Sequence, residues 1–172
     1  KVSEPHQALL FETAYMSGLR ANELRSLKVN HLSLEPCGFL LDAAWTKNRK
    51  AGFQPLGADL AHRLHDFALS GQVEALYDRH RKRKAPNNPL LYLPDNTSRQ
   101  LNEALEAAGI EKCTLEGKLD FHGLRLAFIN RVIESGATVK EAQSLARHST
   151  PELTMNVYGR VEKSRLADTV EG

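Results

Sequence analysis

The chain has 172 residues, 41% hydrophobic and 26% charged, with a formal net charge of +2, which suits one soluble domain or slightly more around a substantial core. No apolar run approaches the roughly 20 residues of a membrane span and no signal peptide is evident, so a cytoplasmic protein is expected. Cys37 and Cys113 stand outside any Cys-x-x-Cys or Cys/His ligand spacing, which argues against a disulfide framework or a zinc site.

In chain order, Ser3 can cap a helix whose first turn holds Pro5, and Leu9, Leu10, Ala14 and Tyr15 recur at helical spacing until Gly18. A short second helix carries Leu24 and Leu27; helix, Gly turn, helix is also the outline of a helix-turn-helix. From Val29 to Leu56 the pattern turns extended. Strands are expected at His31–Leu34, Gly38–Trp45 and Phe53–Leu56, with Glu35-Pro36 as a turn and Pro55 suited to an edge. Between the second and third strands, Thr46–Gly52 makes a basic hairpin tip.

Ala58–Ser70 reads as a helix ended by Gly71. Its His62 and His65 lack a third ligand and suit a solvated face better than a metal. Val73–Asp78 prolongs or follows that helix, Pro86–Pro89 is a loop, and Leu90–Leu93 is a brief apolar run. Ser98–Ala108 is helical with Gly109 as its stop. Phe121–Glu134 points Phe121, Leu124, Phe128 and Val132 at a core, and Gly136 ends it. Thr138 and Glu141 form a capping box for a helix reaching Arg147. Thr150-Pro151 opens another that ends near Tyr158, and Val161–Val170 is a short helix or tail. No internal repeat is present. The fold class expected is mixed and mainly α, with a small three-stranded antiparallel sheet near the N-terminal third.

Charge is unevenly distributed. Arg79, Arg81, Lys82, Arg83 and Lys84 place five cations in six residues of a chain whose total is +2. Such a block attracts phosphate without base specificity, or is simply solvated.

His122-Gly123-Leu124-Arg125 puts an imidazole and a guanidinium three residues apart on one helix face. Arg147-His148-Ser149 follows, and ten residues after His148 comes Tyr158 with Gly159 behind it. Guanidiniums stay charged and match phosphate oxygens with a planar fork, and a phenol beside them can act as a nucleophile. Phosphoryl transfer through tyrosine is the chemistry suggested. The His-x-x-Arg spacing alone is weak evidence, since roughly half a match is expected by chance, and His80–Arg83 is a second one.

Taken in order, the motifs resemble the tyrosine recombinase (phage integrase) family: Gly18-Leu19-Arg20-Ala21-Asn22-Glu23-Leu24, Lys47 on the hairpin, His122-Gly123-Leu124-Arg125, Arg147-His148-Ser149 and Tyr158. Two departures stand out. Leu126-Ala127 replaces the usual His-Thr, and Arg147 stands where a Gly is usual.

The resemblance implies a site-specific recombinase or integrase in which Tyr158 attacks the scissile phosphate. It leaves a 3′-phosphotyrosyl link and a free 5′-hydroxyl, with no metal or nucleotide cofactor. It implies that Arg20, Arg125 and His148 hold the phosphate, that Lys47 protonates the leaving oxygen, with Lys50 or Arg49 as possible slips of register, and that His122 accepts the tyrosine proton. Glu23 would orient Arg20 or His122. Arg49, Lys50, Arg79, Arg81, Lys82, Arg83 and Lys84 would bind DNA. Residues 1–172 would be a single catalytic domain without the family's N-terminal helical domain. The expected partners are double-stranded DNA and, on DNA, further copies of the chain in a tetramer. Type IB topoisomerase-like relaxation and a non-catalytic DNA-binding module are the alternatives.

Overall fold

The computed structural model describes residues 4–44, 51–80, 87–114 and 117–157. Helix α1 (Pro5–Ser17) opens with Pro at its start and closes at Gly18, whose φ of 62° is left-handed. A short α2 (Ala21–Ser26) follows. Three antiparallel strands come next: β1 (Leu32–Leu34), β2 (Cys37–Leu41) and β3 (Gly52–Pro55), in the order β1-β2-β3. Then come α3 (Ala58–Leu69), α4 (Gln72–His80) and α5 (Thr97–Ala108). A two-residue hairpin of β4 (Cys113–Thr114) and β5 (Gly117–Lys118) precedes α6 (Phe121–Glu134) and α7 (Val139–Ala146). A last helical segment, α8, covers 151–157. The fold is mainly α with one small antiparallel sheet, as the sequence leads one to expect.

Several boundaries differ from expectation for local reasons. His31 belongs to a 3-10 turn at Val29–His31 rather than to a strand, because its Nδ1 accepts the Lys28 N–H at 3.0 Å and holds the turn closed. β2 stops at Leu41, short of Trp45: the Asp42 carboxylate accepts the Ala44 N–H at 2.9 Å, a side-chain turn that competes with the ladder. Helix α5 starts at Thr97 rather than Ser98, since Asn96 accepts the Arg99 N–H at 2.8 Å. The β4–β5 hairpin, with Cys113 exposed on it, has no periodic signal in so few residues. Pro55 does lie on an edge strand, paired with Gly38. The expected cap Ser3, the hairpin tip at 46–50 and the segment 161–170 lie outside the described residues.

Two apolar clusters meet along α6. The larger gathers Leu9, Leu10 and Ala14 of α1, Leu24 and Leu27, Phe39 and Leu41 of β2, Leu60 and Leu64 of α3, Leu90, Leu91 and Leu93, and Phe121. The run 90–93 is thus core, and it is stitched down by the Leu90 N–H to the Leu27 carbonyl. The smaller joins Phe128, Ile129 and Ile133 of α6 to Ala142 and Ala146 of α7, with Val157 packed against it. Arg125 sits one helical turn from both Phe121 and Ile129, so it is buried where the clusters adjoin. α1 packs against α6, with Gly18 so close to Phe128 that a Cβ would lie 2.3 Å from its ring. Among the described residues no helix is long and apolar enough to cross a membrane.

Candidate active site

The site is built where helix ends meet. The left-handed Gly18 turns the chain out of α1, Leu19 is buried, and Arg20 becomes the residue that precedes α2. Three residues on, Glu23 folds back: its Oε2 accepts the Arg20 main-chain N–H at 2.7 Å, and its Oε1 pairs with Arg20 Nη1 at 3.2 Å. The carboxylate is 2% exposed, so its charge needs partners.

The second partner is Arg147. Its Nη2 meets Glu23 Oε2 at 2.6 Å and its Nη1 donates to Gln54 Oε1 at 2.7 Å. Arg147 ends α7 with φ 49° and ψ 44°, a left-handed conformation that strains a residue with a Cβ by about 1–2 kcal/mol and that explains why glycine suits the position. Gln54 is the inward-facing residue of β3, buried between exposed neighbours.

Arg125 is 3% exposed. Its Nη1 donates to the carbonyl of Gly18 and its Nη2 to the carbonyl of Ala146. Those two carbonyls lie at the ends of α1 and α7, so a single guanidinium joins the element before Arg20 to the element before His148. Burial, then Arg20 and Arg147, pull the Arg125 pKa down to about 10, still well protonated at neutral pH. Burial likewise lowers Arg147 more than Glu23 raises it.

His148 follows Arg147, its Nδ1 2.9 Å from the hydroxyl of the fully buried Thr154 on α8. Burial first, then Arg125, Arg20 and His122, pull its pKa down to about 4, so the ring is neutral at physiological pH. If the Thr154 hydroxyl donates to Nδ1, the proton rests on Nε2 and the neutral ring can still donate outward. His122 is exposed in the first turn of α6 and near enough to act on His148. It does not cap that helix: Asp120 does, accepting the Gly123 N–H at 2.7 Å.

Four of the six expected catalytic residues, Arg20, His122, Arg125 and His148, therefore gather in one electrostatic neighbourhood, with Glu23 beneath them. Lys47 and Tyr158 lie outside the described residues, as do Arg49, Lys50, Arg81, Lys82, Arg83 and Lys84. Val157, the neighbour of Tyr158, is anchored on the α6–α7 cluster. Arg79 is exposed in the last turn of α4 and acts on His6, in a separate group with His80 and Tyr92. Sequence reasoning missed Arg147, Gln54 and Thr154 as members of the site. A glutamine at the inward phase of a strand was the one available signal for Gln54; Thr154 had none.

Among the described residues, two guanidiniums bind one buried carboxylate here and a third, that of Arg125, feels its charge; the most open of the three, Arg20, is 29% exposed. Such a cluster has positive charge to spare for an anion. The phage integrase family model matches residues 2–165. The chain belongs to the phage integrase family. Among curated relatives, it is 29% identical over 161 residues to the tyrosine recombinase XerC of Halalkalibacterium halodurans, covering 92% of this chain and 51% of that protein. The chain spans about half the length of the curated relatives it matches.

Among solved structures, it is similar to the XerH site-specific recombinase in a post-cleavage complex with palindromic difH substrate (TM-score 0.69, 18% identity, 95% of this chain and 44% of that one). It is also similar to the catalytic domain of bacteriophage HP1 integrase (TM-score 0.59, 21% identity, 98% and 83%). At these identities the likeness is one of fold.

Proposed function

We propose that residues 1–172 form a single catalytic domain of a site-specific DNA recombinase or integrase, which breaks and rejoins duplex DNA through tyrosine. The observation that carries this reading is the meeting of Arg20, Arg125 and His148 in one cluster with surplus positive charge. Family membership and relatives named as tyrosine recombinases support it.

In this reading the Tyr158 oxygen attacks phosphorus, the bond to the 5′-oxygen breaks, and its electron pair departs with that oxygen. Lys47 supplies the proton that makes a 5′-hydroxyl, and His122 takes the proton of the tyrosine. The 3′-phosphotyrosyl bond conserves the energy of the broken linkage, so resealing needs no nucleotide and no metal. Arg20 and Arg125 neutralise the non-bridging oxygens as charge grows on them, the fixed-dipole stabilisation that usually dominates such steps. Arg125 suits that task because its carbonyl contacts hold it rigid before substrate arrives. His148 donates from Nε2. Arg79 and the cations at 49–50 and 81–84 supply sequence-independent phosphate contacts, and the working assembly is a tetramer on DNA.

The test uses a duplex nicked beside the scissile phosphate, from which the short cleaved piece diffuses away and traps the covalent state. The intact protein should give a protein–DNA adduct on a denaturing gel, and Tyr158→Phe should abolish it with duplex affinity nearly unchanged. An adduct from the Phe variant overturns the nucleophile assignment. Salt-sensitive binding with no wild-type adduct supports a non-catalytic DNA-binding module instead, and relaxation of supercoils without strand exchange supports a topoisomerase.

A further inference from the structure

We propose that Arg147 is a positioning residue that acts through Glu23: it keeps that buried carboxylate neutralised, so that Arg20 can leave it and meet a phosphate oxygen. The inference rests on the functional reading above, because it is the phosphate that draws Arg20 away.

Glu23 lies between two guanidiniums of different character. Arg147 binds it at 2.6 Å with a side chain 13% exposed, whereas Arg20 binds at 3.2 Å with a side chain 29% exposed. Arg20 is the longer and more open contact, and the one placed to reach a ligand. Were it the only counterion, its departure would leave an unpaired charge in a site 2% exposed, a heavily penalised arrangement. Arg20 would then stay bound to Glu23. Arg147 removes the penalty.

Four further observations fit this role. Arg147 holds a left-handed backbone (φ 49°) in which glycine would be relaxed, and such strain persists where the surroundings over-determine it. Its side chain reaches two other elements, β3 and α2, and so is fixed at both ends. Gln54 turns its amide oxygen to Arg147 while its own Nε2 stays buried with no hydrogen-bond partner among the described residues, so the amide is oriented toward the guanidinium. The Glu23 main-chain contact to Arg20, at 2.7 Å, stays in place whichever way the Arg20 side chain turns.

The experiment compares wild type, Arg147→Gly, Arg147→Lys, Glu23→Gln and the double variant Arg147→Gly/Glu23→Gln in the intact protein. It reads the rate of adduct formation at saturating nicked duplex, and duplex affinity separately. Arg147→Gly should slow adduct formation about tenfold or more while affinity changes little, a chemical-step loss. Arg147→Lys keeps the charge and should recover most of the rate. Glu23→Gln leaves no charge to neutralise, so the double variant should be faster than Arg147→Gly alone. A brace with no electrostatic part would instead give losses that multiply. Arg147→Met, long but uncharged, gives the same comparison if the Gly variant does not fold. Wild-type cleavage with an equally fast Arg147→Gly variant, or multiplying losses in the double variant, overturns this inference alone. A wild type that makes no adduct overturns the functional reading, and this inference with it.

Discussion

Arg125 donates to the carbonyl oxygen of Ala146, so a hydrogen bond as well as apolar packing fastens the helix that presents this guanidinium to the helix that ends beside His148. The same side chain also holds the carbonyl of Gly18. A residue placed in the proposed chemistry is therefore also a structural cross-brace, and the two roles are separable by measurement.

Replacing Arg125 by alanine should destabilise the fold. Two charge-assisted hydrogen bonds are lost, each worth about 1.5–3 kcal/mol, and relief from burying a cation offsets part of that. A net loss of about 2–4 kcal/mol in urea unfolding at pH 7 is expected. Unchanged stability would show that the bonds to Gly18 and Ala146 do no more than offset the cost of burying the cation.

Arg20→Ala should behave in the opposite way. Its side chain makes one partly exposed ion pair with Glu23, and the loss of a pair this open costs about 1 kcal/mol or less. Removing a donor from a developing phosphate charge costs about a hundredfold in rate. Chemical denaturation and adduct kinetics on the same preparation check both halves.

The fold should weaken in mild acid through His148. Burial and the neighbouring Arg125 and Arg20 hold its folded pKa at about 4, below the ordinary 6.5. Between those values the unfolded chain binds more protons than the folded one, so stability is full above about pH 6.5 and is lost as pH falls toward 4. His6 and His31 are also lowered by burial and slope the same way. His148→Gln should flatten, without abolishing, the dependence of unfolding free energy on pH from 7 to 4.5.

Gly18→Ala should be among the most damaging single-methyl changes. The position needs φ 62°, and the new Cβ would sit 2.3 Å from Cδ1 of Phe128. Left-handed strain plus overpacking sum to about 2–5 kcal/mol, and the shift would also disturb the carbonyl that Arg125 holds. Thermal unfolding measures it; a melting temperature equal to wild type would contradict the close approach of α1 and α6.

Much of this architecture was legible in the residues themselves. Helix α6 was readable from Phe121 and Phe128 at helical spacing, and α7 from the Thr138–Glu141 box, whose reciprocal bonds are present. The order of Arg20, His122, Arg125 and His148 suggested a common site because the three motifs that carry them resemble one family in the same order. What stayed hidden was long-range. Arg147 and Glu23 are 124 positions apart, and Gln54 and Arg147 are 93 apart, so no local period can announce the pairings. Arg147 looked like a mere departure from a glycine because its backbone angle and its partners exist only once α7, β3 and α2 are packed. The early end of β2 has a smaller, local reason: the Asp42 carboxylate accepts the Ala44 N–H, and Asp42-Ala43-Ala44 holds no β-branched residue to favour the ladder.

The exposed thiol on the β4–β5 hairpin offers an experimental handle. Of the two cysteines, Cys37 is half-buried and its Sγ–H donates to the Leu34 carbonyl at 3.0 Å, whereas Cys113 is open to solvent. A maleimide fluorophore should couple selectively at Cys113, giving an optical reporter of when separately labelled copies come together, with no engineered residue.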